Sequence, residues 1–311
     1  MKLDNTTLTQ NLQERIRRYG LTRSAVARQI GISAAAVSQV LAGTYQGDGK
    51  AIWPKIQEYL DLEEQRAHYE SPTSSGEIYV ETEQSSAVAS VLAFCNLKRA
   101  LGVVYGAAGL GKTTTARKYA SENSNVKIIT CSALTSIWTL LDEIAEIVRA
   151  DMKPRRELVR NIIRALQGSN TVLVFDESQH LTTHDYEVLR AIHDGAEIGI
   201  VFLGTSAVYD RMTGSRGRLY DQLYSRVGIQ RGLRQIVAKG DILRVASAHL
   251  GVKPDNEVVM ELHRLANTHG GYRRVVKALD MAIVLARQAG QATPTAENIR
   301  QAAAHLWQAP N

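Results

Sequence analysis

Apolar residues along this chain change their spacing several times, and the changes divide it. Between Leu21 and Gly43 they fall at helical spacing in two short bursts, Ala25, Val26 and Ile30, then Val37, Val40 and Leu41. Thr22 and Ser33 stand at N-cap positions, Gly31 can take the left-handed turn between the bursts, and small Ala27, Ala34, Ala35 and Ala36 permit a close crossing. The pattern predicts a helix-turn-helix. Ile52, Trp53, Ile56, Tyr59 and Leu60 predict an amphipathic helix that closes the core of this small domain. The stretch 71–76, all small or turn-forming residues, then reads as a linker.

Beyond the linker the spacing alters. Short continuous apolar runs, Leu101 to Tyr105, Val172 to Phe175 and Ile198 to Leu203, are strand-sized, and such runs mark parallel strands covered on both faces. The predicted fold class is therefore α/β: a core with a parallel sheet flanked by helices, an all-α helix-turn-helix domain before it and a small helical domain after it. The expected boundaries are 1–70 for the first domain, 71–78 for the linker, 79–230 for the core and 231–311 for the C-terminal helices.

Composition narrows the classes. With 311 residues, 44% hydrophobic and 22% charged, the chain is neither disordered nor collagen-like and has room for two or three domains. No apolar run approaches the roughly 20 residues of a membrane helix, residues 1–10 lack a signal-peptide core, and Cys95 and Cys131 lie far apart. These features lead to an expectation of a reducing cytoplasm and no membrane partner. The net charge is +6, and its excess is local: 9 basic against 8 acidic residues in 1–70, 17 against 17 in 71–230, and 11 against 6 in 231–311. A basic module beside a neutral one favours an anionic partner, nucleic acid before a membrane surface. The helix-turn-helix resembles the phage repressor and Cro type, in which the second helix would present Ser33, Ala35, Ser38 and Gln39 toward base edges. The alternative is a small protein-interaction domain, since nothing basic crowds that helix.

The strongest chemistry lies at Gly106, Ala107, Ala108, Gly109, Leu110, Gly111, Lys112 and Thr113, followed by Thr114. This is G-x-x-x-x-G-K-T with a strand before it and a helix after it. Glycines let backbone N–H groups curl around phosphate oxygens, and the helix N-terminus adds positive potential. Lys112 would hold the β and γ phosphates of ATP, and Thr113 would ligate magnesium. The apolar strand ending in Asp176 and Glu177 supplies the second half: Asp176 to hold magnesium through water, Glu177 to polarise the attacking water. At the tip of the neighbouring strand Thr205, favoured over Ser206, could orient that water; a helix N-cap is the other reading.

Together these motifs resemble the AAA+ ATPases. That resemblance assigns Thr205 as the "sensor 1" residue. It assigns Arg226, at the end of Leu223 to Arg226, as an arginine finger reaching a neighbouring subunit, and Arg273 or Arg274 as "sensor 2". Either of the last two could instead be a surface or DNA-contacting residue.

The order of parts, with the segments Thr44 to Asp48, Tyr79 to Thr82, Phe175 to Leu181 and Gln222 to Arg226, is similar to the target-selecting ATPases of Mu-like transposing phages and prophages. Thr205 departs from the asparagine of the phage Mu member, which touches the water-orienting role but not nucleotide binding. The resemblance implies an ATPase that assembles with ATP as a helical filament on double-stranded DNA, with little sequence preference. It would deliver that DNA to a transposase, stimulate strand transfer, confer target immunity and leave the DNA uncut. Lys153, Arg155, Arg156 and Arg160, with Arg164, precede the magnesium strand where such proteins contact the phosphate backbone; a solvated helix face is the plainer account. Lys253, Arg264, Arg273, Arg274 and Lys277 offer a second basic surface. Competing functions are a nucleotide-controlled transcription regulator, a helicase loader and an ATPase adaptor.

Overall fold

A computed structural model describes residues 5–69, 78–213 and 226–307, and the chain divides into two compact units, Met1–Glu70 and Ser71–Asn311.

The first unit is helical: α1 (Asn5–Tyr19), α2 (Arg23–Ile30), α3 (Ala34–Leu41) and α4 (Gly49–Tyr69). Thr22 Oγ1 accepts from the Ala25 amide at 3.2 Å, and Ser33 Oγ from that of Ala36 at 3.1 Å. Gly31 turns between them at φ 71°. These caps satisfy amides that the helix starts leave orphaned. Val26, Val37, Val40, Ile52, Ile56 and Tyr59 form the core with Leu8 and Leu12 of α1, which closes one side of it.

The second unit is built on five parallel strands, β1 (Leu101–Tyr105), β2 (Val126–Thr130), β3 (Val172–Asp176), β4 (Gly199–Gly204) and β5 (Val227–Gly232), in the order β2-β3-β4-β1-β5. Successive strand side chains point to opposite faces, and both faces are covered. Leu173 and Phe175 of β3 and Ile200 and Phe202 of β4 pack toward α7 (Ile137–Val148), α8 (Leu158–Leu166) and α9 (Thr183–Ala196). Val172, Val174, Val201 and Leu203 pack toward α5 (Glu83–Lys98) and α6 (Lys112–Glu122). The inner strands β1, β3 and β4 therefore carry apolar residues almost throughout and do not alternate, whereas the edge strands β2 and β5 carry Lys127, Gln230 and Arg231. A short helix, α10 (Ser206–Thr213), follows β4.

Four further helices, α11 (Lys239–Leu250), α12 (Asn256–Ala266), α13 (Gly271–Gln288) and α14 (Ala296–Trp307), bury Ala246, Leu262, Val275, Leu279, Ala282 and Ile299 among themselves. Leu110 from the glycine-rich loop joins this helical core at 1% exposure. Among the described residues no helix is long and apolar enough to cross a membrane.

Candidate active site

The loop after β1 reverses through Gly109 at φ 83° and Gly111 at φ 84°, both left-handed, and enters α6. Gly111 is the N-cap and carries no side chain, so no side-chain cap occupies the first amides of α6, and such uncapped helix starts suit an anion. Lys112 is buried; its Nζ donates to the carbonyls of Gly106 at 2.8 Å and Ala107 at 2.9 Å. Burial pulls its pKa below the ordinary lysine value, Glu177 and Asp176 push it back up, and Arg273 lowers it further. An ammonium held this way is ready to exchange carbonyl partners for phosphate oxygens.

Asp176 ends β3 nearly fully buried, and its Oδ2 accepts from Thr113 Oγ1 at 2.7 Å. A hydroxyl and a carboxylate converging at the mouth of a phosphate loop are the hard oxygen donors that magnesium takes, so the residues fit that ion. Glu177 follows in a left-handed conformation at φ 53°, with its amide donating to Asp176 Oδ1 at 3.0 Å. A cavity of about 690 Å³ joins these groups to Thr114 and, across from the loop, to Tyr79, Val245, Tyr272 and Arg273. Ala108 and Gly109 also line it, whereas the Leu110 side chain points away into the helical core.

The two candidate arginines of α13 part company. Arg273 lines the cavity. Arg274 donates from Nη1 to Thr268 Oγ1 at 3.1 Å and to the His269 carbonyl at 3.3 Å, and its guanidinium lies 4.2 Å from the Trp307 ring centre. Thr205 is placed by its backbone, whose N–H donates to Gln179 Oε1 at 3.2 Å, and it is not among the residues lining the cavity. Arg226 lies just before β5 with its side chain 58% exposed, outside the cavity, 3.8 Å from Asp194 Oδ1 on α9. The remainder of its motif, Gln222 to Ser225, lies outside the described residues.

Lys153, Arg156 and Arg160 are exposed. Arg155 is held: it pairs with Asp142 and stacks 4.9 Å from the centre of the half-exposed Trp138 ring, beside the first turns of α7. In the helix-turn-helix, Ser33 is spent on its cap and the Ser38 hydroxyl donates to the Ala34 carbonyl at 3.0 Å, while Gln39 is exposed.

Residues 96–212 match the family described as AAA domain. Over 274 residues the chain is 31% identical to the Mu-like prophage FluMu DNA transposition protein B of Haemophilus influenzae, spanning 86% of this chain and 93% of that protein. The chain belongs to this transposition protein B family. Another relative, the ATP-dependent target DNA activator B of Escherichia phage Mu, is 28% identical over 274 residues, 87% of this chain and 86% of that protein. The fold is similar to Cdc6p from Pyrobaculum aerophilum at TM-score 0.59 and 15% identity, covering 78% of this chain and 72% of that one.

With its AAA domain, this member of the B family is an ATPase. Several residues of its site carry no motif. Asp241 on α11, buried, accepts at Oδ2 from the Glu83 amide at 3.1 Å and from the Tyr272 hydroxyl at 2.8 Å, tying α11 and α13 to the start of α5 beside the cavity. Burial, reinforced by Asp241, holds the Tyr272 phenol above its ordinary pKa. A buried aspartate in a helix that is otherwise apolar on its inner face is the one sequence signal that could have flagged this joint.

Proposed function

We propose that this protein is an ATP-dependent activator of target DNA for transposition. It binds duplex DNA with little regard to sequence as an ATP-loaded helical filament, presents that DNA to a transposase and leaves it on hydrolysis. The observation that carries this reading is the placement of Arg226. Its side chain is largely exposed and outside the cavity of its own chain, as suits a group that completes a neighbour's site. Such an arrangement makes assembly and hydrolysis one event.

Within the cavity, Lys112 and the loop from Gly106 to Thr114 hold the phosphates, and Thr113 and Asp176 hold magnesium, which when bound neutralises phosphate charge. Glu177 takes a proton from the attacking water and Arg273 reaches the γ-phosphate. Lys153, Arg155, Arg156 and Arg160 follow the phosphate backbone, and the exposed Trp138 beside Arg155 adds an aromatic face. The helix-turn-helix of residues 1–70 contributes DNA affinity through the α3 surface around Gln39.

The test is binding to two unrelated duplexes with ATP, with ADP and without nucleotide, alongside Lys112→Ala. Cooperative binding to both duplexes that requires ATP and fails in the variant is expected. Tight, nucleotide-independent binding to one sequence alone would overturn the reading in favour of an operator-binding regulator.

A further inference from the structure

Resting on the assignment of Glu177 as the base, we propose that Gln179 is a positioning residue that holds the Glu177 carboxylate and fastens it to the end of β4 at Thr205. Gln179 sits in a short 3-10 turn, Ser178–His180, directly after the acidic pair. Its amide is used at both ends. Nε2 donates to Glu177 Oε2, and Oε1 accepts from the Thr205 backbone N–H at 3.2 Å. A glutamine amide offers a donor and an acceptor at the end of a side chain of this length; a glutamate would set a second negative charge against Glu177, and an asparagine is one methylene shorter.

The surroundings are shaped for this bridge. Gly204 precedes Thr205, and a Cβ built there would lie 2.6 Å from Gln179 Oε1 and 2.4 Å from Val208 Cγ2, so a side chain at 204 would evict the amide. The turn is fixed independently: buried Ser178 donates from Oγ to the Leu203 carbonyl at 2.8 Å, and the Tyr186 hydroxyl donates to the Ser178 carbonyl at 2.6 Å. Glu177 itself has a left-handed backbone, uncommon for a residue with a side chain, and the bridge lies immediately after it.

Two consequences follow from the geometry. The amide engages one carboxylate oxygen of Glu177 and leaves the other to accept a proton. The same amide makes the aim of that carboxylate depend on the end of β4, whose last carbonyl, on Gly204, accepts from the Gly106 amide at 3.1 Å at the entry to the phosphate loop. Base, β4 tip and phosphate loop are thereby connected through three hydrogen bonds.

The test uses the full chain with Gln179→Met, which keeps length and removes both hydrogen bonds, Gln179→Glu, Glu177→Ala and the double variant Glu177→Ala with Gln179→Met. DNA-stimulated ATPase kcat and KM, affinity for a fluorescent ATP analogue, and melting temperature are measured. Gln179→Met is expected to lower kcat about 10- to 100-fold while KM and analogue affinity stay within about twofold of the parent. Gln179→Glu is expected to lower kcat at least as far, and Gln179→Met is expected to cost nothing more on the Glu177→Ala background, since Gln179 acts through Glu177. Parental kcat in Gln179→Met, an equal fractional loss on both backgrounds, or a loss of analogue binding in step with melting temperature would overturn the proposal. Parental turnover in Glu177→Ala would remove the base assignment itself, a failure distinct from a silent Gln179→Met beside a dead Glu177→Ala.

Discussion

Gly109 and Gly270 meet backbone to backbone: a Cβ built on Gly109 would lie 1.9 Å from the Gly270 carbonyl oxygen. Two residues on, the Tyr272 amide donates to the Gly109 carbonyl at 2.9 Å. Gly109→Ala therefore adds a methyl group both to a left-handed residue and to a backbone contact that cannot step aside. The expected cost is more than about 2 kcal/mol of stability, with ATP-analogue affinity falling at least about tenfold, checked by thermal melting and titration. An alanine variant that melts and binds like the parent would mean the joint is not closed in solution.

Arg273 and Arg274 are neighbours in sequence with opposite expected phenotypes. Arg273→Ala removes the cavity-lining charge, and ATP turnover is expected to drop about 10- to 100-fold with melting little changed. Arg274→Ala breaks the contacts to Thr268, His269 and Trp307 and is expected to cost about 1–2 kcal/mol of stability with a smaller effect on turnover. Steady-state ATPase beside melting curves separates the two, and an exchange of phenotypes would reverse the assignment.

For Arg226 the informative experiment is mixing. Arg226→Ala is expected to bind nucleotide normally and turn over slowly on DNA. Lys112→Ala, by contrast, is expected to lose nucleotide while keeping Arg226. Co-assembled on DNA, the two are expected to recover turnover that neither has alone, because the Lys112→Ala subunit offers its arginine to an Arg226→Ala neighbour. Turnover per protomer that is unchanged in Arg226→Ala would take this residue out of the mechanism.

Burial pushes the thiols of Cys95 and Cys131 up to about 12, with the charges of Glu143 and Asp176 adding to the effect at Cys131. A raised pKa means that folding favours the neutral thiol. That preference is intact below the unfolded value near 8.5 and is lost as pH climbs toward the folded one. At pH 8 a disulfide reagent should label neither cysteine in the native protein and both after denaturation. Rapid native labelling of either would place that thiol at the surface.

How much of this was written in the sequence depends on whether a feature is local. The phosphate loop and the acidic strand end are contiguous, each forced by backbone geometry or by double burial, and Thr113 meets Asp176 where the paired motifs require. The helix-turn-helix was legible because Thr22, Gly31 and Ser33 act on amides within three residues of themselves. The bridge from Gln179 to Thr205 crosses 26 positions and the Asp241 contact to Glu83 crosses 158, and neither has a spacing that a single chain can announce. Arg155 reads in the sequence as a phosphate contact or part of a solvated helix face, and its pairing with Asp142 and stacking on Trp138 leave no local signal. Which of Arg273 and Arg274 faces the cavity depends on helix rotation, about 100° per residue, which only packing sets.

Leu110 sits in the middle of the phosphate loop yet is buried among the C-terminal helices. To lift those helices away from the sheet would drag this side chain into water, at a cost of about 2 kcal/mol. The helical region is thus pinned to this loop at residue 110, and a displacement of the helices either exposes that side chain or carries the loop with it.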